Sequence, residues 1–492
     1  MNFLTTRRES PRYKWWVLSC TSLGMLLATV NSGTLIIALP DLERSLHTTL
    51  LQLVWVILVY MIVSTVLVLT AGRLSDLFGR KNAYVLGFVA FSLASLGAGF
   101  AGSGTQLILW RVLQGVGAAF LFANAAALVT DAFPKNELGL AMGTNTMIAA
   151  VGLVIGPVLG GALVAIAWPW VFWFNVPLGL VGAGWASLVL HEMSGRDTER
   201  GLDLVGTAAF VIGLTGLVLA LSKGGLSGWN NLLVIGGFAA ALVLLPVFVV
   251  IERRGRSPML DLTLFQNRMF SAASAAAFIN GLSRFALMFL FVFYFQGPQG
   301  QSPIMAGLEL APLAIGMLIA SPLAGIAADR RGSRGIAALG MVVSAVGLAG
   351  MTTLQAHTPY AWSALWLAIV GVGSGMFNSP NTAAMMGVVP VHRRGIAAAT
   401  RMMLQNTGAV ISIAFVLAIV TAAVPKTVLF EIFSGLTSGL STAQLDPFIA
   451  NLHMALWTLA GISLVGAGVS MLRPAEVRTR DFAGTVAAKE AA

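Results

Sequence analysis

Four charged residues stand inside long apolar stretches of this chain, and their types are the ones that could do chemistry: Arg111, Arg284, Arg401 and Glu309. A charge held in a hydrocarbon layer is expensive, so it faces a protein interior or a wet path and marks a route for ions, protons or substrate. Glu309 is a candidate proton carrier with Arg284 as its charge partner. The same two residues also read as a structural salt bridge, or Glu309 as a side chain reaching outer water. Gln114 and Gly115 follow Arg111 at i+3 and i+4, so a polar stripe and a close backbone approach share one helix face. Arg111 and Arg401 read alternatively as side chains snorkelling to the nearer surface. If all three arginines line one path with Glu309 alone opposing them, that path is net positive and favours an anionic or zwitterionic substrate over a lipophilic cation.

The elements that must position these groups are membrane helices. Hydrophobic residues make up 57% of the 492 residues and charged ones only 10%, far outside the composition of a soluble domain. Apolar runs of about 20 residues, the length that crosses a hydrocarbon core, recur fourteen times, at 15–38, 50–71, 82–102, 105–130, 138–164, 169–190, 204–222, 230–250, 269–296, 303–327, 335–355, 360–388, 395–423 and 452–472. The alternating ten-residue strands of a closed barrel are missing, so helices satisfy the backbone in lipid and the expected fold is all-α. Placing the amino terminus inside puts Arg7, Arg8, Arg12, Lys14, Arg73, Arg80, Lys81, Arg196, Arg200, Arg330 and Arg331 on the cytoplasmic side, and leaves Arg44, Lys223 and Lys426 outside. Both termini are expected to be cytoplasmic.

Several function classes are disfavoured. The net charge of +10 is spread over every inner loop instead of one face, which argues against nucleic-acid binding. Cys20 is the single cysteine and the five histidines are scattered, so no metal site and no cofactor is expected. No G-x-x-x-x-G-K-[ST] loop occurs, so direct ATP drive is not expected and an ion gradient is the expected energy source.

The chain also repeats itself. "GRLSDLFGR" at 72–80 returns as "GIAADRRGSR" at 325–334, with Gly72, Asp76 and Gly79 displaced by 253 positions onto Gly325, Asp329 and Gly332. "LWRVLQGVGAAF" at 109–120 answers "LWLAIVGVGSGMF" from 365, and "GLAMGT" at 139–144 answers "GIAAAT" at 395–400, both at an offset of 256. Two six-span halves with spans seven and eight inserted between them follow: 1–190, 191–268 and 269–492. Paired halves with a path at their interface are a transporter architecture, in which one half rocks against the other. A membrane-embedded transferase, the alternative from another class, has no reason to be built this way.

"GRLSDLFGRKN" (72–82) resembles the cytoplasmic loop signature of the major facilitator superfamily. "LILWRVLQGVGAA" (107–119) resembles its span-four signature through Arg111, Gln114, Gly115 and Gly117, and "AAVGLVIGPVLGGAL" (149–163) its span-five antiporter signature through Gly152, Gly156, Pro157, Gly160 and Gly161. With fourteen spans and "FNVPLGL" (174–180) in span six, the chain resembles the fourteen-span drug:proton antiporters of multidrug efflux. The resemblance implies a monomeric exporter of small molecules in a bacterial inner membrane, exchanging them for protons, with Arg111 taking part in coupling. The runner-up is an exporter of anionic metabolites or lipids.

Each signature also has a physical reading. Gly72 and Gly79 are expected to permit a tight cytoplasmic turn, while Asp76, Arg80 and Lys81 bond helix ends and bias a bistable inner gate. A plain topology-anchoring turn is the alternative. Gly152, Gly156 and Gly160 recur every four residues, a close-packing face, and Pro157 removes a backbone donor. One departure is plain: "VNSGTLIIALP" (30–40) puts Asn31 where the resemblance calls for an acid, and an amide carries no proton. The aromatic runs "WPWVFWF" (168–174) and "FLFVFYF" (289–295) read as interfacial belts or as the wall of a hydrophobic cavity.

Overall fold

The structure, a computed structural model, describes residues 12–134, 137–192, 203–255, 260–390, 393–422, 424–433 and 442–474. Arg7, Arg8, Arg196, Arg200 and the tail beyond 474 lie outside the described residues, as does the side chain of Asp329. All regular structure among the described residues is helical.

The helices are α1 (Tyr13–Leu46), α2 (Leu50–Phe78), α3 (Arg80–Gly99), α4 (Gly104–Ala132), α5 (Leu138–Val164), α6 (Trp170–Val189), α7 (Leu204–Ser227) and α8 (Leu232–Arg254). After a short 3₁₀ turn come α9 (Arg268–Gln296), α10 in two segments (Pro303–Glu309 and Ala311–Arg331), α11 (Ser333–Met351), α12 (Tyr360–Gly387), α13 (Arg394–Thr421) and α14 (Thr442–Met471). Thirteen of them are long and apolar enough to cross a membrane by their described residues; α5, with 27 residues, spans about 40 Å and supplies the fourteenth expected crossing. Polar side chains set the helix starts: Thr49 and Gln52 form a capping box on α2, and Ser103, Asp203, Asn231, Asn267 and Ser302 each accept a backbone N–H at the head of the next helix.

Lipid is as apolar as leucine, so glycines that bring backbones together carry the packing between these helices. In the first half α1 lies against α5, α2 and α3 against α4, and α3 against α6. In the second half α9 lies against α13 and α14, α10 and α11 against α12, and α11 against α14. The inserted hairpin α7–α8 closes through Gly216 and Gly237, and α7 docks on both sets, with Gly225 against Ala418 of α13 and Thr207 3.3 Å from Thr70 of α2. Only 22% of the most apolar window of α8 is buried, so α8 presents its surface to lipid.

Helix α14 starts at Thr442, ten residues before the expected span at 452–472, so the last helix runs on beyond its apolar run. One expectation about the outer surface changes. The aromatic run at 289–295 is neither a belt nor a cavity wall: Phe289, Phe291, Phe293, Tyr294 and Phe295 are all 2% exposed or less. α9 is covered by α13, α14 and α12, which leaves those rings no face toward lipid headgroups.

Candidate functional site

Below, the inner face is the one bearing the start of α1. In the first half a sealed polar cluster joins five helices. Arg111 of α4 is 1% exposed; its Nε donates to the Val56 carbonyl at 2.9 Å, a guanidinium N–H donates to Gln114 Oε1, and its guanidinium carbon lies 4.1 Å from the Tyr60 ring centre. Gln114 Nε2 donates in turn to Asn31 Oδ1 of α1 at 3.1 Å and to Ser95 of α3 at 2.7 Å, and Asn175 of α6 reaches Asn31 Oδ1 at 3.4 Å. Arg111 therefore turns inward along its helix, and the snorkelling alternative falls. Dipoles and a ring face satisfy the charge, with no carboxylate in ion-pair range among the described residues. Gly115 makes the close approach possible, since a Cβ there would lie 3.0 Å from the Tyr60 carbonyl oxygen.

The second half is different. Arg284, sixteen residues into α9, makes no hydrogen bond and no ion pair among the described residues; its Nε is buried without a partner, and the guanidinium lies 4.9 Å from the Phe285 ring centre. It lines a small cavity of about 40 Å³ with Met288, Leu313, Met317 and Ser374. Arg401 of α13 is half-buried and donates to Gln405 at 2.9 Å, one turn deeper, instead of reaching back to the inner surface. Gln405 continues to Asn378 of α12 at 3.3 Å.

Glu309 and Arg284 do not pair. Glu309 ends the first segment of α10, six residues or about 9 Å from its outer start, whereas Arg284 lies twelve residues or about 18 Å below the outer end of α9. No ion pair joins them among the described residues. Glu309 is 7% exposed at the break before Pro312, where the Tyr360 hydroxyl donates to its carbonyl at 3.4 Å.

The outer ends of the halves meet through α5. Along one face Gly152, Gly156 and Gly160 lie against Thr29, Gly33 and Thr34 of α1. On the other, a Cβ on Gly161 would lie 2.5 Å from Ile304 Cα, and one on Gly307 would lie 2.4 Å from the Pro157 carbonyl oxygen. The glycines and Pro157 thus clamp α5 between α1 and the first segment of α10. Gln296 of α9 adds a bond to the Ile37 carbonyl of α1 at 3.2 Å.

At the inner face Gly79 and Gly332 are equivalent turn residues, with φ of 100° and 89°, a backbone that side chains rarely adopt. Gly72 and Gly325 are not turn residues: they lie inside α2 and α10, because each helix runs on for two further turns before its left-handed break. Arg80 bridges Asp76 at 3.0 Å and Asp131 of α4 at 2.6 Å, with Arg73 4.0 Å from Asp76. Glu192 accepts from the backbone N–H groups of Arg80 and Lys81 at 2.9 and 3.3 Å, capping α3.

The sequence reading did not find Asp131, Glu192, Ser95 or Asn175 as partners. Each is an isolated polar residue, on another helix or, for Glu192, just past the end of α6, and the one usable signal is that Asn175 stands in "FNVPLGL" in an apolar span.

Comparison with known proteins agrees with this architecture. The chain is 33% identical over 383 residues to the multidrug resistance protein Stp of Mycobacterium tuberculosis, covering 77% of this chain and 71% of that protein. It is 29% identical over 405 residues to the riboflavin transporter RibZ of Clostridioides difficile, covering 82% and 88%. A bacterial homologue of the human lysosomal transporter Spinster, solved in an inward-facing and unoccupied conformation, superposes with a TM-score of 0.67 at 16% identity, covering 94% of this chain and 97% of that one. The family profile described as Major Facilitator Superfamily matches residues 21–413 and 273–482. The chain therefore belongs to the Major Facilitator Superfamily and is a membrane transporter, not an enzyme.

Proposed function

We propose that this transporter is a secondary active exporter of amphipathic or lipophilic small molecules that exchanges them for protons by alternating access. The observation that carries the reading is the closure of the outer ends by the glycine and proline face of α5 against α10, with a cavity left beneath it. Segments 1–190 and 269–492 are the moving halves and 191–268 the insert that rides between them. Glu309, at the broken helix where the closure ends, is the proton-carrying acid, because the first half has an amide, Asn31, at the position where the resemblance calls for an acid. Arg111, Gln114 and Gly115 hold α4 rigid beside α2 and contribute a fixed charge to coupling. Asp76, Arg80 and Lys81, with Gly72, Gly79, Gly325, Asp329 and Gly332, form the inner gate. The protein acts as a monomer in a bacterial inner membrane with both termini in the cytoplasm. The names of relatives such as Stp support efflux.

The test is concentrative transport by purified protein in liposomes under an imposed pH gradient, parent against Glu309→Gln. Gradient-driven transport that the variant loses, while it still exchanges substrate down its own gradient, supports the proposal. Transport indifferent to the pH gradient in the parent refutes proton antiport, and full coupling in Glu309→Gln removes Glu309 from the role.

A further inference from the structure

The displacement of 253 positions that carries Gly72 onto Gly325 also carries Asn31 onto Arg284. Packing supports this register: Gly152 lies against Thr29 where α5 meets α1, and its counterpart Gly408, offset by 256, lies against Phe278 and Leu282 where α13 meets α9. The two equivalent positions on the first helix of each half are thus a buried amide and an arginine that lines a cavity, and neither is an acid. Their environments differ as well. Arg111 in the first half is sealed by a carbonyl, an amide and a ring, so its charge is spent inside the protein. Arg284 has the Phe285 ring but no carbonyl or amide partner among the described residues, and it lines a cavity. A guanidinium at membrane depth with a buried, unpaired Nε leaves part of the desolvation cost of the ion uncompensated until an anion arrives.

We infer that Arg284 is the anchor of a substrate site for amphipathic anions, pairing with a carboxylate, sulfonate or phosphate group while Met288, Leu313 and Met317 hold the apolar body. A guanidinium fork fits such planar or tetrahedral oxyanions through paired N–H groups. The space is small, about 40 Å³, with mostly apolar walls and one strongly polar group to fix orientation, so the apolar body is held at its near end and extends out of it. Arg401 extends the positive charge toward the inner mouth: it lies about 10 Å into α13, whereas Arg284 is about 24 Å into α9. Such an ordered pair of cations draws an anion inward from the cytoplasmic side and disfavours a lipophilic cation at the same depth. This assignment rests on the export reading for its direction, but the site itself does not require it.

Binding separates the two. Decyl carboxylate, decyl sulfonate, decyl phosphate and decyl trimethylammonium share one tail and differ only in the head group. Each is titrated calorimetrically against the full chain in phosphatidylcholine nanodiscs, for the parent, Arg284→Gln and Arg284→Lys, after thermal melts show that all three are folded. At least one anion is expected to bind the parent more tightly than the ammonium compound. Arg284→Gln should weaken it by about ten- to a hundredfold, and Arg284→Lys should restore much of the loss. Repeating the titration with phosphatidylglycerol in the disc identifies the source: competition assigns the site to a lipid headgroup, and its absence to a free amphiphile. Tighter binding of the ammonium compound, or anion binding unchanged in Arg284→Gln, overturns the inference. Anion binding that depends on Arg284 without any transport in liposomes would retain the site and sink the export reading instead.

Discussion

A single methyl group at Gly307 probes the outer closure. In Gly307→Ala the new Cβ would sit 2.4 Å from the Pro157 carbonyl oxygen, 2.7 Å from its carbon and 3.1 Å from the Val158 nitrogen. These are backbone atoms, which cannot rotate aside as a side-chain end can. Ordinary contact begins at 3.4 Å, so the first segment of α10 must withdraw from α5 by about 1 Å. Overpacking of that kind costs about 1–3 kcal/mol. Because the strain falls on the closed arrangement alone, the ratio of outward-open to outward-closed molecules should rise by about 5- to 150-fold. Spin labels at Thr105 and Thr353, exposed residues at the outer ends of the two halves, report it in a Cys20→Ser background. Double electron–electron resonance should show a longer distance gaining weight in Gly307→Ala and not in Gly468→Ala, where nothing lies within 4 Å. An unchanged distance distribution in Gly307→Ala would refute the reasoning.

Other substitutions separate packing from charge. Gln114→Leu strips a buried partner from Arg111, Asn31 and Ser95 at once and should destabilise the protein by about 1–3 kcal/mol, read as a lower midpoint in a detergent melt. Gln114→Glu, which keeps an acceptor for Arg111, should lose less. Gly79→Ala and Gly332→Ala place a side chain at a φ of 100° and 89°, and each should cost about 1–3 kcal/mol in the same melt. At Gly79 the new Cβ would also meet the Glu192 carboxylate at 2.4 Å, so that side chain must shift from its cap on α3. Asp131→Asn removes half of the Arg80 bridge, but both side chains are about a quarter exposed, so stability should change by about 0–1 kcal/mol. A transport rate that falls in Asp131→Asn at unchanged melting would show that the bridge acts on the gate instead of on the fold.

The fold was legible because lipid imposes one rule on every span: roughly twenty apolar residues with internal hydrogen bonds. That rule fails where a helix leaves the hydrocarbon. The first turns of α14 carry Asp446 and Pro447, and α1 runs past Pro40 to Leu46, so neither end stands out by composition. Gly79 and Gly332 were readable as turns because only a glycine takes that backbone freely, whereas Gly72 and Gly325 share their signature but sit in helices. The site was legible only in parts. Sequence shows that Arg111 and Gln114 share a face, yet not that Asn31, Ser95 and Asn175 converge on them from three other helices. It placed Arg284 and Glu309 on successive helices and suggested a pair, but no ion pair joins them among the described residues. The run "FLFVFYF" matched an interfacial pattern, and only the packing of neighbours around α9 decided otherwise.

Alternating access to the Arg284 cavity is tested most directly by thiol labelling of Ala314→Cys, a partly exposed position on its wall, in a Cys20→Ser background. A membrane-impermeant maleimide is applied from either side of oriented vesicles, with and without Gly307→Ala. The account predicts rapid labelling from the inner side alone, and, with Gly307→Ala, a faster outer rate matched by a slower inner one. An outer rate that rises while the inner rate stays unchanged would describe a continuous pore and contradict it.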